Sequence, residues 1–217
     1  MKIMAENGSK SKQFLKDFHS DKGIRLTFRK VSPEDLEELY KISDLIISEK
    51  NIPQFKSLIH TVLKELIQNA VKATQKRVYY RKNGIDIQKS NSDDIDKFKE
   101  SFTNGSILAL MEEEHIEFAA EVCFIDDKDS FKISVRNHGE MNSVERKNVD
   151  FMFNRGKDAE DVSDLLGEEI SNKEGGGLGL SMIMILMKKL SIPSENLFFR
   201  TNDSFTVFNF IIPYNNN

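Results

Sequence analysis

The chain has 217 residues, of which 39% are hydrophobic and 30% charged, enough for one globular domain with a substantial core, or a domain plus an appendage. Its formal net charge of −4, from 31 basic and 35 acidic residues, argues against a general attraction to nucleic acid or acidic membranes. The single cysteine, Cys123, excludes an intramolecular disulfide and a cysteine-built metal cluster.

Residues 1–22 are rich in Lys and Ser with no apolar run, which argues against a secretory signal and predicts a mobile tail. Ile24, Leu26 and Phe28 alternate with polar neighbours and predict a strand within Gly23–Val31. Ser32-Pro33-Glu34-Asp35 supplies an N-cap, a proline in the first turn and an acidic residue three after the serine, so a helix is expected to about Ser48. Pro53 opens the next helix. Its apolar positions Phe55, Leu58, Ile59, Val62, Leu63, Leu66, Ile67, Ala70 and Val71 form a broad core-facing stripe to about Tyr80. Residues 83–115 are polar and acidic, with room for one or two short helices around Ile95, Phe98, Phe102, Leu108 and Met111. They predict an insertion that is partner-facing or partly disordered.

Phe118–Ile125 and Phe131–Val135 predict a hairpin turning at Asp126-Asp127-Lys128-Asp129. A helix through Val144, Val149, Phe151 and Phe153 follows Gly139, and residues 156–174 are charged and aperiodic, as in a mobile loop. A helix from Leu178 to about Leu190 and the strands Leu197–Arg200 and Phe205–Ile212 complete the chain. This order predicts an α/β (α+β) two-layer sandwich: a mixed, largely antiparallel sheet with helices on one face. The longest strongly apolar run, Met182–Met187, is too short to cross a bilayer, and a cytoplasmic protein is expected.

Three segments carry chemical potential. Four of the 11 glycines fall at 175, 176, 177 and 179, before an apolar helix. Such a cluster lets backbone approach a ligand closely and aims helix N-terminal amides at it, which favours phosphate; alone, it is equally a loop hinge. No Gly-Lys-Ser/Thr follows, so it is not a Walker loop, and no strand precedes it directly, as a dinucleotide fingerprint requires. Glu65, Asn69 and Lys72 lie at i, i+4 and i+7 on one helix face. They are a possible base, magnesium ligand and phosphate contact, although such polar faces are ordinary on solvated helices. Asn137-His138-Gly139 ends a predicted strand and is either a turn or an amide presented to a base edge.

Taken in order, these segments resemble the motifs of the GHKL ATPases, the superfamily of gyrase, large heat-shock chaperones, histidine kinases and mismatch-repair ATPases. Lys64–Ala73 is similar to the N box, Asn137-His138-Gly139 to the G1 box, and Phe151–Lys157 to the F box of histidine kinases. Gly175–Leu180 is similar to the G2 box, and Thr206–Pro213 to the closing strand. The resemblance implies a Bergerat fold that binds ATP and Mg²⁺. Asn69 would hold the metal and Lys72 would contact phosphate. Gly175, Gly177, Leu178 and Gly179 would form the phosphate cradle under a lid of residues 156–174. Arg155 and Lys157 would reach the γ-phosphate. Asn137, Gly139 and Thr206 would receive adenine. Glu65 sits where several branches, including the anti-sigma serine kinases, carry a general base.

The sequence departs from the pattern at the adenine end. Asn137 replaces the G1 aspartate, Met141 the second G1 glycine, and Phe205 the glycine before Thr206. An asparagine oxygen still accepts a hydrogen bond, but without a full charge, so nucleotide binding is expected to be weakened rather than abolished. The opening strand and helix resemble the anti-sigma serine kinases, whereas the G1 and F boxes lean towards histidine kinases. No histidine-bearing dimerisation helix pair is present in the sequence. His60 falls within the N-box helix and reads as a packed histidine, His19 has no supporting motif, and His115 and His138 share no zinc-ligand spacing. The expected activity is γ-phosphoryl transfer to a separate signalling protein. The alternatives are a degenerate GHKL module acting as a protein-binding scaffold, or an ATPase using Glu65 on water.

Overall fold

A computed structural model describes residues 17–19, 23–87, 89–165 and 178–214. Five strands form one sheet in the order β1-β2-β3-β5-β4: β1 (Ile24–Phe28), β2 (Ala120–Asp126), β3 (Ser130–His138), β4 (Leu197–Thr201) and β5 (Phe205–Pro213). Every neighbouring pair is antiparallel, so the parallel component allowed for by a mixed sheet is absent among the described strands. Period-two alternation decides the faces. Ile24, Leu26 and Phe28 are buried while Arg25 and Thr27 between them are exposed. In β3, Phe131, Ile133, Val135 and Asn137 all point to the buried side. The helices pack on this apolar face.

Helix α1 (Pro33–Glu49) starts at the capping box expected from sequence: the Ser32 hydroxyl accepts from the Asp35 amide at 3.1 Å, and the Asp35 carboxylate accepts from the Ser32 amide at 2.9 Å. Such a cap contributes about 1 kcal/mol. A 3₁₀ turn at Pro53–Phe55 leads into α2 (Lys56–Lys82), 27 residues long. Its buried stripe from Leu58 to Val71 runs through the centre of the core and packs on β2 and β3.

The 83–115 segment holds the two short helices expected there, but it packs into the core rather than standing off as an appendage. It contains α3 (Ser92–Asn104), capped reciprocally by Asn91 and Asp94, and α4 (Ile107–Glu113). Phe98 is buried against Tyr79 and Tyr80, and Ile107 and Met111 join the main core. Phe98, Ile107 and Met111 are the buried apolar residues of this largely polar stretch, and their burial ties it to α2.

Asn142 caps α5 (Ser143–Asp158) by accepting from the Val144 and Glu145 amides at 2.9 Å each. This helix packs along α6 (Leu178–Lys189). Contact is tight at Gly156, where a Cβ would lie 2.5 Å from the Ser181 carbonyl oxygen and 2.7 Å from the Met184 Cβ. Helix α5 thus continues into the segment expected to be loop, and a 3₁₀ turn at Val162–Leu165 follows it. Leu165 is buried with Ala159 and Ile185. Residues 166–174 of the expected lid lie outside the described residues.

Most of the expected N-terminal tail also lies outside them, but Asp17–His19 do not behave as a tail. Phe18 is fully buried, edge-to-face with Phe131 at 5.8 Å and under the Lys50 ammonium at 5.7 Å. His19 Nδ1 lies 2.6 Å from Asp126. Asp126 also accepts from Lys50 at 2.7 Å and from the Tyr214 hydroxyl, which joins the N-terminal segment, α1, β2 and the residue after β5.

Candidate functional site

Glu65 projects from the middle of α2 towards the first turn of α6. It is half-buried, and its carboxylate lies so close to the Gly179 α-carbon that a Cβ there would overlap it. Gly179 is the second residue of α6, so the carboxylate lies beside the first described turn of that helix, at the positive end of its dipole. The acid expected on α2 and the last glycine of the cluster are thereby brought together. Asn69, one turn further along α2, is exposed, and Lys72 is half-buried. Leu178 starts α6 and packs beside Leu165 and Ile185. Gly175 and Gly177 lie outside the described residues.

A second group forms at the end of the sheet. The register aligns Phe28, Ala120, Asn137, Thr206 and Thr201 in one row across the five strands. Asn137 and Thr206 face the helix layer and are only 4% and 2% exposed. Burial this deep requires hydrogen bonds. The Asn137 amide donates to the His138 carbonyl at 3.1 Å, and the Thr206 hydroxyl lies 2.9 Å from the Gly139 carbonyl and 3.1 Å from the Thr201 hydroxyl. Thr206 thus meets the Asn137–Gly139 turn, although 67 residues separate it from Gly139. The Thr201 hydroxyl is also 3.1 Å from the Met141 amide, its donor.

Two further residues in this region were not singled out by the sequence. The Thr74 hydroxyl donates to the Ala119 carbonyl at 2.7 Å and accepts from the His138 amide at 3.1 Å, fixing α2 against β3 and the residue preceding β2. It occupies the buried face of α2; a threonine on an apolar stripe was the available signal. Arg77 crosses the Gly139 turn. Gly139 has φ +90, and a Cβ there would be 2.5 Å from the Arg77 Cδ. Arg77 donates to the Glu140 carbonyl at 2.9 Å and to Glu145 at 2.6 Å. No local pattern couples Arg77 to a turn over 60 residues later.

Arg155 is half-buried on α5 and donates to the Leu165 carbonyl at 2.7 Å, while Lys157 is exposed. Both belong to the helix that packs on α6, which for Lys157 replaces the loop expected from residue 156.

Beside Glu65 lies an open groove of about 600 Å³, with Tyr40, Lys56, His60, Thr61, Lys64 and Met182 among its walls. Burial and the Glu65 carboxylate together raise the Tyr40 phenol above its ordinary pKa. Among the described residues no three His, Cys, Asp or Glu side chains are grouped to hold a metal ion. Asn69 and Glu65 nevertheless offer oxygen donors one turn apart on a solvent-reached face. That set suits Mg²⁺, which takes few protein ligands and fills its shell with water and phosphate oxygens.

No protein-family model matches the chain. An uncharacterized protein of Treponema pallidum (strain Nichols) is 25% identical over 190 residues, which cover 84% of this chain and 36% of that protein. The chain therefore spans little more than a third of the length of the curated relative it matches. Among solved structures, a chain of the SiaB–SiaC complex from Pseudomonas aeruginosa aligns with 94% of this chain and 95% of its own, at 15% identity and a TM-score of 0.43. No described helix is long and apolar enough to cross a membrane.

Proposed function

We propose that this chain is an ATP- and Mg²⁺-binding domain of the histidine-kinase-like type, which passes a γ-phosphoryl group to a separate signalling protein. The observation that carries the reading is the contact between Glu65 on α2 and Gly179 at the start of α6. It joins the acid of one motif to the helix N-terminus of another, with Asn69 one turn away. The pairing of Asn137 with Thr206 on β3 and β5 supports it, because the residues expected at adenine share one end of the sheet.

Bound Mg²⁺–ATP would supply the electrophilic phosphoryl group. Asn69 would provide an amide oxygen to the metal and Lys72 a cation to the phosphates. The α6 amides would face phosphate oxygens. Glu65 would accept the proton of an attacking hydroxyl or water, its carboxylate held on the groove side of the helix end. Titration calorimetry with a non-hydrolysable ATP analogue and Mg²⁺ tests the reading: heat of binding in the micromolar to millimolar range is expected, and no binding at millimolar analogue overturns it.

A second reading, a module that binds protein partners without turning nucleotide over, is favoured by one observation. Asn137 and Thr206 are almost inaccessible and their groups are bonded internally, with Arg77 braced across Gly139. Binding of the analogue without release or transfer of phosphate, with or without a partner, selects this reading. Phosphate release without an acceptor, lost in Glu65→Ala, selects an ATPase instead.

A further inference from the structure

Four histidines occur in the chain, and their surroundings differ. His19 has carboxylates at both nitrogens: Asp126 lies 2.6 Å from Nδ1 and Glu49 3.7 Å from Nε2. His138 is wedged between Phe118 and Phe205, with ring centroids at 4.5 and 5.1 Å. Its Nε2 is buried without a partner. His115 is exposed and makes no ion pair with a carboxylate among the described residues. His60 is oriented by a single carboxylate, at one nitrogen, and is reached from a groove. It lies in the groove beside Glu65, its side chain 22% exposed. Its Nε2 is 2.9 Å from an Asp44 oxygen, and its ring stacks on Tyr40 at 4.3 Å and 17°.

These contacts set the chemistry of the ring. An ionised carboxylate only accepts, so the Asp44 contact places a hydrogen on Nε2 and the lone pair of the neutral ring on Nδ1. Tyr40 fixes the ring plane. Lys56, whose ammonium is 2.8 Å from the other Asp44 oxygen, and Lys64 line the same groove. Two cations beside an oriented nitrogen nucleophile suit a phosphoryl group.

We propose that His60 is a phosphoryl-accepting histidine that reacts through Nδ1 with a nitrogen- or acyl-linked phosphodonor entering the groove. With phosphoramidate as donor, the Nδ1 lone pair forms the new N–P bond while the donor's N–P bond breaks. Ammonia leaves with that bond's electron pair. The ring becomes an imidazolium whose Nε2–H still donates to the Asp44 carboxylate. The proposal stands apart from the nucleotide reading, because neither ATP nor Glu65 takes part in the step.

The test treats the full chain with phosphoramidate, follows phosphohistidine by ³¹P NMR, and maps it by peptide mass. Acid-labile label should form on His60 roughly tenfold or more faster than on exposed His115, as the Nδ1 isomer. It should vanish from that peptide in His60→Gln. Asp44→Asn should slow it and shift part of the product to Nε2, a change of isomer that mere loss of packing does not produce. Equal rates at His60 and His115, the Nε2 isomer in the wild type, or an unaltered Asp44→Asn reaction each overturns the proposal. The wild-type and Asp44→Asn measurements decide it even if His60→Gln fails to fold.

Discussion

The Glu65 carboxylate and the Gly179 α-carbon touch, with no space between them for a methyl group. This gives the last glycine of the cluster a role that needs no ligand: it lets an acid from α2 reach the N-terminal turn of α6. The same amides and dipole that favour phosphate also favour this carboxylate. A phosphate arriving there would meet Glu65 as an immediate neighbour, so the base and the electrophile would be positioned by one helix end.

Gly179→Ala should therefore push Glu65 aside or separate α2 from α6. Overpacking of this kind costs about 1–3 kcal/mol, read as a lower urea midpoint with an unchanged slope. Gly179→Ala combined with Glu65→Ala should recover most of the loss, because the added methyl then has room and α2 keeps a good helix former. No recovery in the double variant would show that the clash lies elsewhere.

Phe18 makes a matching case at the other end of the chain. Its ring is fully buried against Phe131, and replacing a buried Phe by Ala typically costs about 3–5 kcal/mol. Phe18→Ala should lower the thermal midpoint by many degrees, whereas Lys41→Ala, at an exposed position of α1, should leave it nearly unchanged. Equal melting of Phe18→Ala and wild type would contradict the packing.

These two residues mark where the sequence was informative and where it was not. The α2 stripe, the capping box at Ser32 and the strands from Ile24 to Phe28 and Phe205 to Pro213 rest on local periodicity and local hydrogen bonds, which a single segment displays. So do the faces that bring Asn137 and Thr206 together. Phe18 follows Phe14 and Leu15 at helical spacing, too short a pattern in a stretch otherwise rich in Lys and Ser, and its burial depends on the distant Phe131. The acidic 83–115 stretch misled for the same reason: one phenylalanine and two aliphatic residues decide its placement, and average polarity conceals them. Arg77 at Gly139 and Asp44 at His60 are tertiary contacts between ordinary surface residue types, for which no spacing rule exists.

The Asp126 cluster predicts the pH dependence of stability. Burial alone would raise the Asp126 carboxyl, but hydrogen bonds from Lys50, Tyr214 and His19 outweigh it and hold the group below its ordinary pKa. A depressed carboxyl stabilises the fold above its unfolded pKa, about 3.9, and that stability is lost as pH falls through the lower folded value. Burial and the Asp126 carboxylate move the Tyr214 phenol the other way, far above its ordinary pKa. Its contribution is complete below about pH 10 and is lost as pH rises beyond it towards the folded value. Asp126→Asn should flatten both limbs of a stability–pH curve measured by urea unfolding. Limbs as steep as in the wild type would place the titration in other groups.

Gly156 predicts how strictly α5 and α6 are matched. A methyl group there would meet the Ser181 carbonyl oxygen at 2.5 Å and the Met184 Cβ at 2.7 Å. Backbone cannot yield as a flexible side chain does, so Gly156→Ala should cost about 1–3 kcal/mol despite alanine's better helix propensity. Thermal melting checks this. A higher midpoint would mean that the helices separate freely and that propensity dominates.

Asn137 separates the two functional readings most sharply. In the structure its amide donates to the His138 carbonyl from a position 4% exposed. Asn137→Asp removes that donor and sets a carboxylate near a carbonyl oxygen in a buried place. The unliganded protein should lose about 1–3 kcal/mol of stability. An adenine amino group would reverse the balance, because a charged acceptor gives a stronger bond than an amide oxygen. If adenine binds at Asn137, the variant should bind the Mg²⁺–ATP analogue more tightly than wild type while being less stable without it, and saturating analogue should raise its melting midpoint by more. Calorimetric titration and melting of both proteins measure the two quantities separately. A variant that is less stable and binds no more tightly would show that adenine does not reach β3, which favours the protein-binding module over the kinase.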